Sequence, residues 1–519
     1  MPKQKKSHLL QLILSLTKGE KKHFRLLVTR HQAVEIPLFL KLFDFLDEYN
    51  TEDKELIFKK IPKIKKNQLS NLKLHLYKKL LESTRMLNAD DNLNLNIKVR
   101  EQLGYANLLY NKGLYNLSLA ILAKSKSKAY LLRQFVLILE IIEFEKRIES
   151  QYITRSIKTR AEELARESQY VNVVLSQEHE LSNLSLLLYG QYLKTGFSSG
   201  EEENAVLKQR FESGLMDYAT QELSFYGQLY FFQSYSWYYH IQQNFKGCYR
   251  YAYKWVDLFE QYPEMKDYDF QLYLKGLHNL LSSLFNLKAY ERFLVALNLL
   301  GDLGKAKQNY PIHIQGNIYL FYSIHRIGKH FMEGSFSAGI SWIKELIVII
   351  EKNPYNWDPH RIMVFYYKIA SLYFGSGDSE QATVYLNRII NQKKQSIRED
   401  IQCFTRILNL IAHYELGNQQ LIEYQIKSVY RFLLRMEDLN KVQRSILLFL
   451  QKTPQLVPSE VKPAFKRLYQ SLKTLEETVG EQRSFLYLDI LSWLKSKIQG
   501  VSVEQVIQEK FKEEQQNNA

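Results

Sequence analysis

No proline interrupts the chain between Pro62 and Pro263, and the 519-residue sequence holds only 10 prolines and 21 glycines. Both residues punctuate helices and strands, so this scarcity favours long helical segments joined by few breaks. The remaining prolines are expected at element boundaries: Pro37, Pro62, Pro263, Pro311, Pro354, Pro359, Pro454, Pro458 and Pro463.

The stretch FYYKIASLYFGSGDSEQATVYLNRII, Phe365 to Ile390, shows what such a break does. Tyr366, Ile369, Ala370 and Tyr373 fall on one helical stripe, and Ala382, Leu386 and Ile389 fall on a second. Gly377 suits the left-handed position that ends a helix. Asp378 can cap the next helix, with Gln381 completing a capping box. Ala370 and Ala382 would let the two helices approach closely. The unit is helix, tight turn, helix.

That pattern resembles a tetratricopeptide repeat. Counted from Met363, the family's signature places match Tyr366, Ile369, Ala370, Tyr373, Gly377, Ala382 and Leu386. Further copies are expected around Ala106, Gly113 and Ser118, and with second small positions at Cys248, Phe293, Gly334 and Glu423. The intervals between the last copies exceed the family's period of about 34, which keeps a HEAT-like array with a longer period open. The resemblance implies an all-α fold: a superhelical array of antiparallel helix pairs that leaves a concave face. The chain is also similar to large uncharacterised helical proteins of Bacteroidota, through TKGEKKHFRLL and DILSWLKSK, a likeness that carries no known activity.

Three segments are expected: a basic helical module over 1–88, a repeat array over 89–458, and a helical cap with a fraying polar tail over 459–519. In the first segment Thr17 and Glu20 form a capping-box pattern, and Leu69, Leu72, Leu76, Leu80 and Leu87 make one helical stripe. The segment carries 19 Lys and Arg against 9 Asp and Glu, most of the net charge of +15. Lys59, Lys60, Lys63, Lys65 and Lys66 are expected to form a solvent-facing strip, which suits nucleic acid or an acidic protein. Two distant cysteines, Cys248 and Cys403, exclude a disulfide framework and suit a reducing compartment. No run approaches the length of a membrane span, and the start of the chain reads as an amphipathic helix rather than a signal peptide. A cytoplasmic location is expected.

Signatures of catalysis do not emerge. GSGDSE lacks a preceding strand, Gly328-Lys329 lacks the rest of a phosphate loop, and GSFSAG misses the nucleophile-elbow spacing. His325 and His330, five apart, fall on different helix faces. Neither a cofactor, a metal nor an enzymatic activity is expected. The resemblance instead implies a protein or peptide partner, acidic in part, on the inner face of each first helix. The residues at those places are Tyr230, Gln233, Trp237, His240, Lys275, His278, Ser282, Phe285, Tyr319, Ser323, Arg326, Tyr367, Ser371 and Phe374. Nucleic acid is the alternative partner, through the basic module.

Overall fold

A computed structural model of the chain describes residues 7–30, 36–88, 95–151, 159–198, 200–215, 218, 221–306, 310–392, 398–436, 439–476, 481, 484–485 and 489–518. The basic start, 1–6, and the expected segment boundary at 89–94 lie outside the described residues. Among the described residues there are 25 α-helices, one 3-10 turn and no strand. By packing, the chain divides into two compact units, Met1–Ser168 and Gln169–Ala519. This limit differs from the divisions read at residues 88 and 458.

The first unit contains α1 (His8–Ser15), α2 (Lys18–Thr29), α3 (Leu38–Tyr49), α4 (Lys54–Lys60), α5 (Leu69–Asn88), α6 (Leu95–Asn111), α7 (Tyr115–Leu131) and α8 (Phe135–Glu149). Ser7 caps α1, which buries Leu9, Leu10 and Ile13. The Thr17–Glu20 capping box forms in both directions, at 3.2 Å and 2.7 Å. Pro37 is the N-cap of α3, one place before the first turn. On α5 the buried stripe is Leu69, Leu76, Leu80 and Ser83, whereas Leu87 is exposed. Ser83 is tied to His23 at 3.0 Å, so a hydroxyl with a partner takes the inner place. Lys126 bridges the enclosed Glu145 and Glu167, at 2.6 Å and 2.9 Å.

α9 (Arg160–Thr195) contains the limit between the units. The second unit continues with α10 (Glu201–Leu215), α11 (Phe225–Ile241), α12 (Phe245–Gln261), α13 (Pro263–Tyr268), α14 (Phe270–Asn286), α15 (Tyr290–Ala306) and α16 (Ile312–Glu333). It ends with α17 (Phe336–Lys352), α18 (Pro359–Gly375), α19 (Ser379–Ile390), α20 (Glu399–Glu415), α21 (Gln419–Arg435), α22 (Lys441–Lys452), α23 (Pro458–Leu475), α24 (Ile490–Gln499) and α25 (Val503–Asn518). Consecutive helices pack as neighbouring pairs, and α14, α16, α18, α20 and α22 also touch in succession.

One turn recurs. The first helix ends on a left-handed residue, and the next N–H bonds a carbonyl five residues back. Gly113, Arg133, Gln243, Lys288, Gly377 and Gly417 all occupy that place. Leu114, Gln134, Asn244, Ala289, Asp378 and Asn418 donate the bonds, at 2.9 to 3.0 Å. At Arg133, Gln243 and Lys288 the left-handed backbone costs about 1 kcal/mol. Behind the turn a small pair meets: Ala106 with Ser118, whose hydroxyl donates to the Ala106 carbonyl at 2.8 Å, and Ala370 with Ala382, both fully buried. Asp378 accepts from the Gln381 N–H at 3.0 Å.

Several expectations change. Gly334 is not the small residue of a second helix but the left-handed cap of α16; a Cβ there would lie 2.8 Å from the Gln508 nitrogen. The small residue of that hairpin is Gly339, against His330 and Leu372. Glu423 is exposed and its neighbour Ile422 takes the core place. Phe293 is fully buried, so that position accepts a large side chain. Pro463 lies inside α23. The polar tail forms α25 instead of fraying. Val506 and Ile507 are buried, Phe511 meets the Tyr290 ring edge-on at 4.7 Å, and Lys288 reaches Glu514 at 2.5 Å.

Candidate binding cavity in the second unit

Helical spacing puts Lys275, His278, Ser282 and Phe285 on one face of α14. That face borders a cavity of about 1270 Å³. α11 adds Trp237 and His240, α16 adds Phe321, His325 and Phe331, and α18 adds Arg361, Tyr367, Lys368, Ser371 and Phe374. A volume of that size holds a ligand larger than most drug-like molecules.

Of the residues expected to bind a partner, Trp237, His240, Lys275, His278, Ser282, Phe285, Tyr367, Ser371 and Phe374 line this cavity. Trp237, Tyr367 and Phe374 are buried in its wall rather than partly exposed. The others lie elsewhere. Gln233 is buried and accepts from Ser185 at 3.2 Å, and Tyr230 packs beside Tyr226. Tyr319 stacks on Trp357, Ser323 is fully buried, and Arg326 lies 4.3 Å over the Trp342 ring. For Tyr319, Ser323 and Arg326 the reason is register. α16 has 22 residues where α11, α14 and α18 have 17, so a face carried over from its neighbours is rotated away. The face that α16 turns to the cavity is Phe321, Ile324, Gly328 and Phe331.

The cavity's charges are unequal in their partners. Lys275 Nζ lies 4.8 Å from the Tyr189 ring centre and 5.9 Å from that of Trp237. Lys368 Nζ lies 5.5 Å from Phe331 and 5.9 Å from Phe285. Burial pulls Lys368 down to about 8. Burial, then the Arg361 charge, lowers Lys275. His278 and His325 share a hydrogen bond of 2.8 Å, and His278 stacks on Phe321 at 4.3 Å. Burial first, and then the surrounding cations, pull His278 down to about 3. Burial and Arg398 pull His240 down to about 4. These rings are therefore neutral near pH 7.

Cys248 and Cys403 are buried free thiols. Burial lifts Cys248 to about 11, which leaves it unreactive. Among the described residues no His, Cys, Asp or Glu cluster is placed to hold a metal ion, and no helix is long and apolar enough to cross a membrane.

In the first unit all five strip lysines are exposed, while Ile61 and Ile64 between them and Ile57 and Leu69 beside them are buried. Lys60 lies 5.3 Å over the Tyr49 ring.

Lys368, Arg361 and His360 escaped the sequence reading, and His325 was weighed there only as a metal ligand. One signal pointed to Lys368: it is the sole charged residue between Phe365 and Gly375. No family model, curated protein or solved structure matches the chain.

Proposed function

We propose that the chain is a non-catalytic scaffold of paired helices, in a solenoid-like array, that binds a protein segment or peptide in the cavity of the second unit. The observation that carries this reading is the cavity itself, about 1270 Å³ and lined by aromatic rings and cations from four successive first helices. Rings supply contact area at small entropic cost, and lysines and arginines suit acidic side chains. Selection of phage-displayed peptides tests it. Peptides with aromatic and acidic residues should be enriched, and Ser371→Trp, which fills the cavity, should abolish their binding. Val295→Trp, at an outward position that is 72% exposed, should leave it intact. Enrichment that survives Ser371→Trp contradicts the reading.

A second reading rests on the five exposed strip lysines. Nucleic acid bound there would dissociate steeply as salt rises. Changing all five lysines to glutamine should flatten that slope. An unaltered slope removes the strip from consideration.

A further inference from the structure

Enclosed lysines in folded proteins ordinarily face a carboxylate or several acceptors. Lys275 and Lys368 face rings. Among the described residues neither ammonium group has an ion pair or a hydrogen bond; both lie against aromatic faces. The carboxylates that border the cavity are engaged elsewhere. Glu514 pairs with Lys288, and Glu476 pairs with Lys473. Asp489 caps α24 and faces Lys510, while Asp269 accepts from the Tyr226 hydroxyl. Among the described residues two further wall groups lack partners. Trp237, 7% exposed, leaves its indole N–H without an acceptor, and His360 Nε2 has no hydrogen-bond partner. Both lysines border the same cavity, Lys275 beside Tyr189 and Trp237 and Lys368 beside Phe285 and Phe331.

We propose that Lys275 and Lys368 form an anion site that takes a carboxylate, sulfonate or phosphate group carried on an apolar, ring-bearing body. The charge would settle against these ammonium groups on the cavity wall. The body would lie against Trp237, Phe285, Phe321 and Phe331. This deepens the reading of the cavity as the docking place and rests on it. An acidic peptide and a small organic acid share this chemistry.

The test compares two fluorescent probes of like shape on the full chain: anilinonaphthalene sulfonate, which is anionic, and N-phenylnaphthylamine, which is neutral. The sulfonate should bind about tenfold more tightly. In the double variant Lys275→Gln and Lys368→Gln that preference should vanish, while the neutral probe binds as before and reports an intact cavity. Equal affinities in the unaltered chain, or a preference that survives both substitutions, overturn the anion site. Failure of both probes to bind overturns the cavity as a docking place. The bound sulfonate is then challenged with acetyl-Glu-Phe-Glu-Phe-amide and with naphthaleneacetate. Displacement by the peptide assigns the site to acidic peptides. Displacement by naphthaleneacetate alone keeps the anion site and overturns the peptide reading. Displacement by neither overturns the site.

Discussion

Lysine appears in the two units in opposite electrical settings. On the strip of the first unit Lys59, Lys60, Lys63, Lys65 and Lys66 are exposed, and the isoleucines between them form the core. In the second unit Lys275 and Lys368 are half-buried in the cavity wall, and burial lowers the affinity of both for their protons. A solvated lysine costs the fold nearly nothing and attracts from a distance, under salt screening. A half-buried one without a counter-charge lowers its own proton affinity and so opposes folding. The comparison separates charge that supports solubility and long-range attraction from charge held ready for a ligand.

The largest test of that contrast is acid. His240 and His278 titrate near 6.5 when unfolded but near 4 and 3 when folded. Below pH 6.5 the unfolded chain binds protons that the folded chain refuses, so stability falls as the pH falls. At pH 5 each ring should cost about 2 kcal/mol. Urea unfolding of the second unit at pH 7 and pH 5 should show the loss, and His278→Gln should remove about 2 kcal/mol of it. A pH dependence unchanged by His278→Gln would break the account of these rings.

The next test asks whether the units differ in their hairpins or only in their charges. Ala382→Leu in the second unit and Ala106→Leu in the first should each cost roughly 1–3 kcal/mol, because both side chains are fully buried where two helices meet. Thermal unfolding that left either variant unaltered would show that the hairpin grammar is not shared.

The smallest effect belongs to the strip. Glutamine at all five strip positions should shift stability by about 0.5 kcal/mol or less, since exposed charges contribute little. A loss of several kcal/mol in denaturant titration would mean that these lysines hold the first unit together.

Sequence made the hairpins legible where sterics leave one choice. Ala370, Ala382, Ala106 and Ser118 are small because two backbones approach, and Gly113, Gly377 and Gly417 have the positive φ their turns need. The same turn at Arg133, Gln243 and Lys288 was not legible, because the fold places ordinary side chains in a left-handed backbone there. The cavity face of α14 could be read because its 17 residues keep the register of α11 and α18. The longer α16 could not, because its extra turn rotates the face. α25 was missed because Val503, Ile507 and Phe511 are diluted among polar residues, although they lie on one stripe. Lys368 was passed over because periodicity weighs apolar positions and is silent on an enclosed cation beside them.

A lysine kept for a ligand at the expense of the fold should yield stability when an apolar side chain of similar length replaces it, and Lys368 is the residue to change. With the folded value at about 8 against an ordinary value near 10.4, the enclosed charge should cost roughly 1–3 kcal/mol at pH 7. Lys368→Met should therefore raise the unfolding free energy of the ligand-free chain by a similar amount, and Lys63→Met on the strip should leave it unchanged. A loss of stability in Lys368→Met would contradict the account, because it would make that lysine a structural residue of the wall.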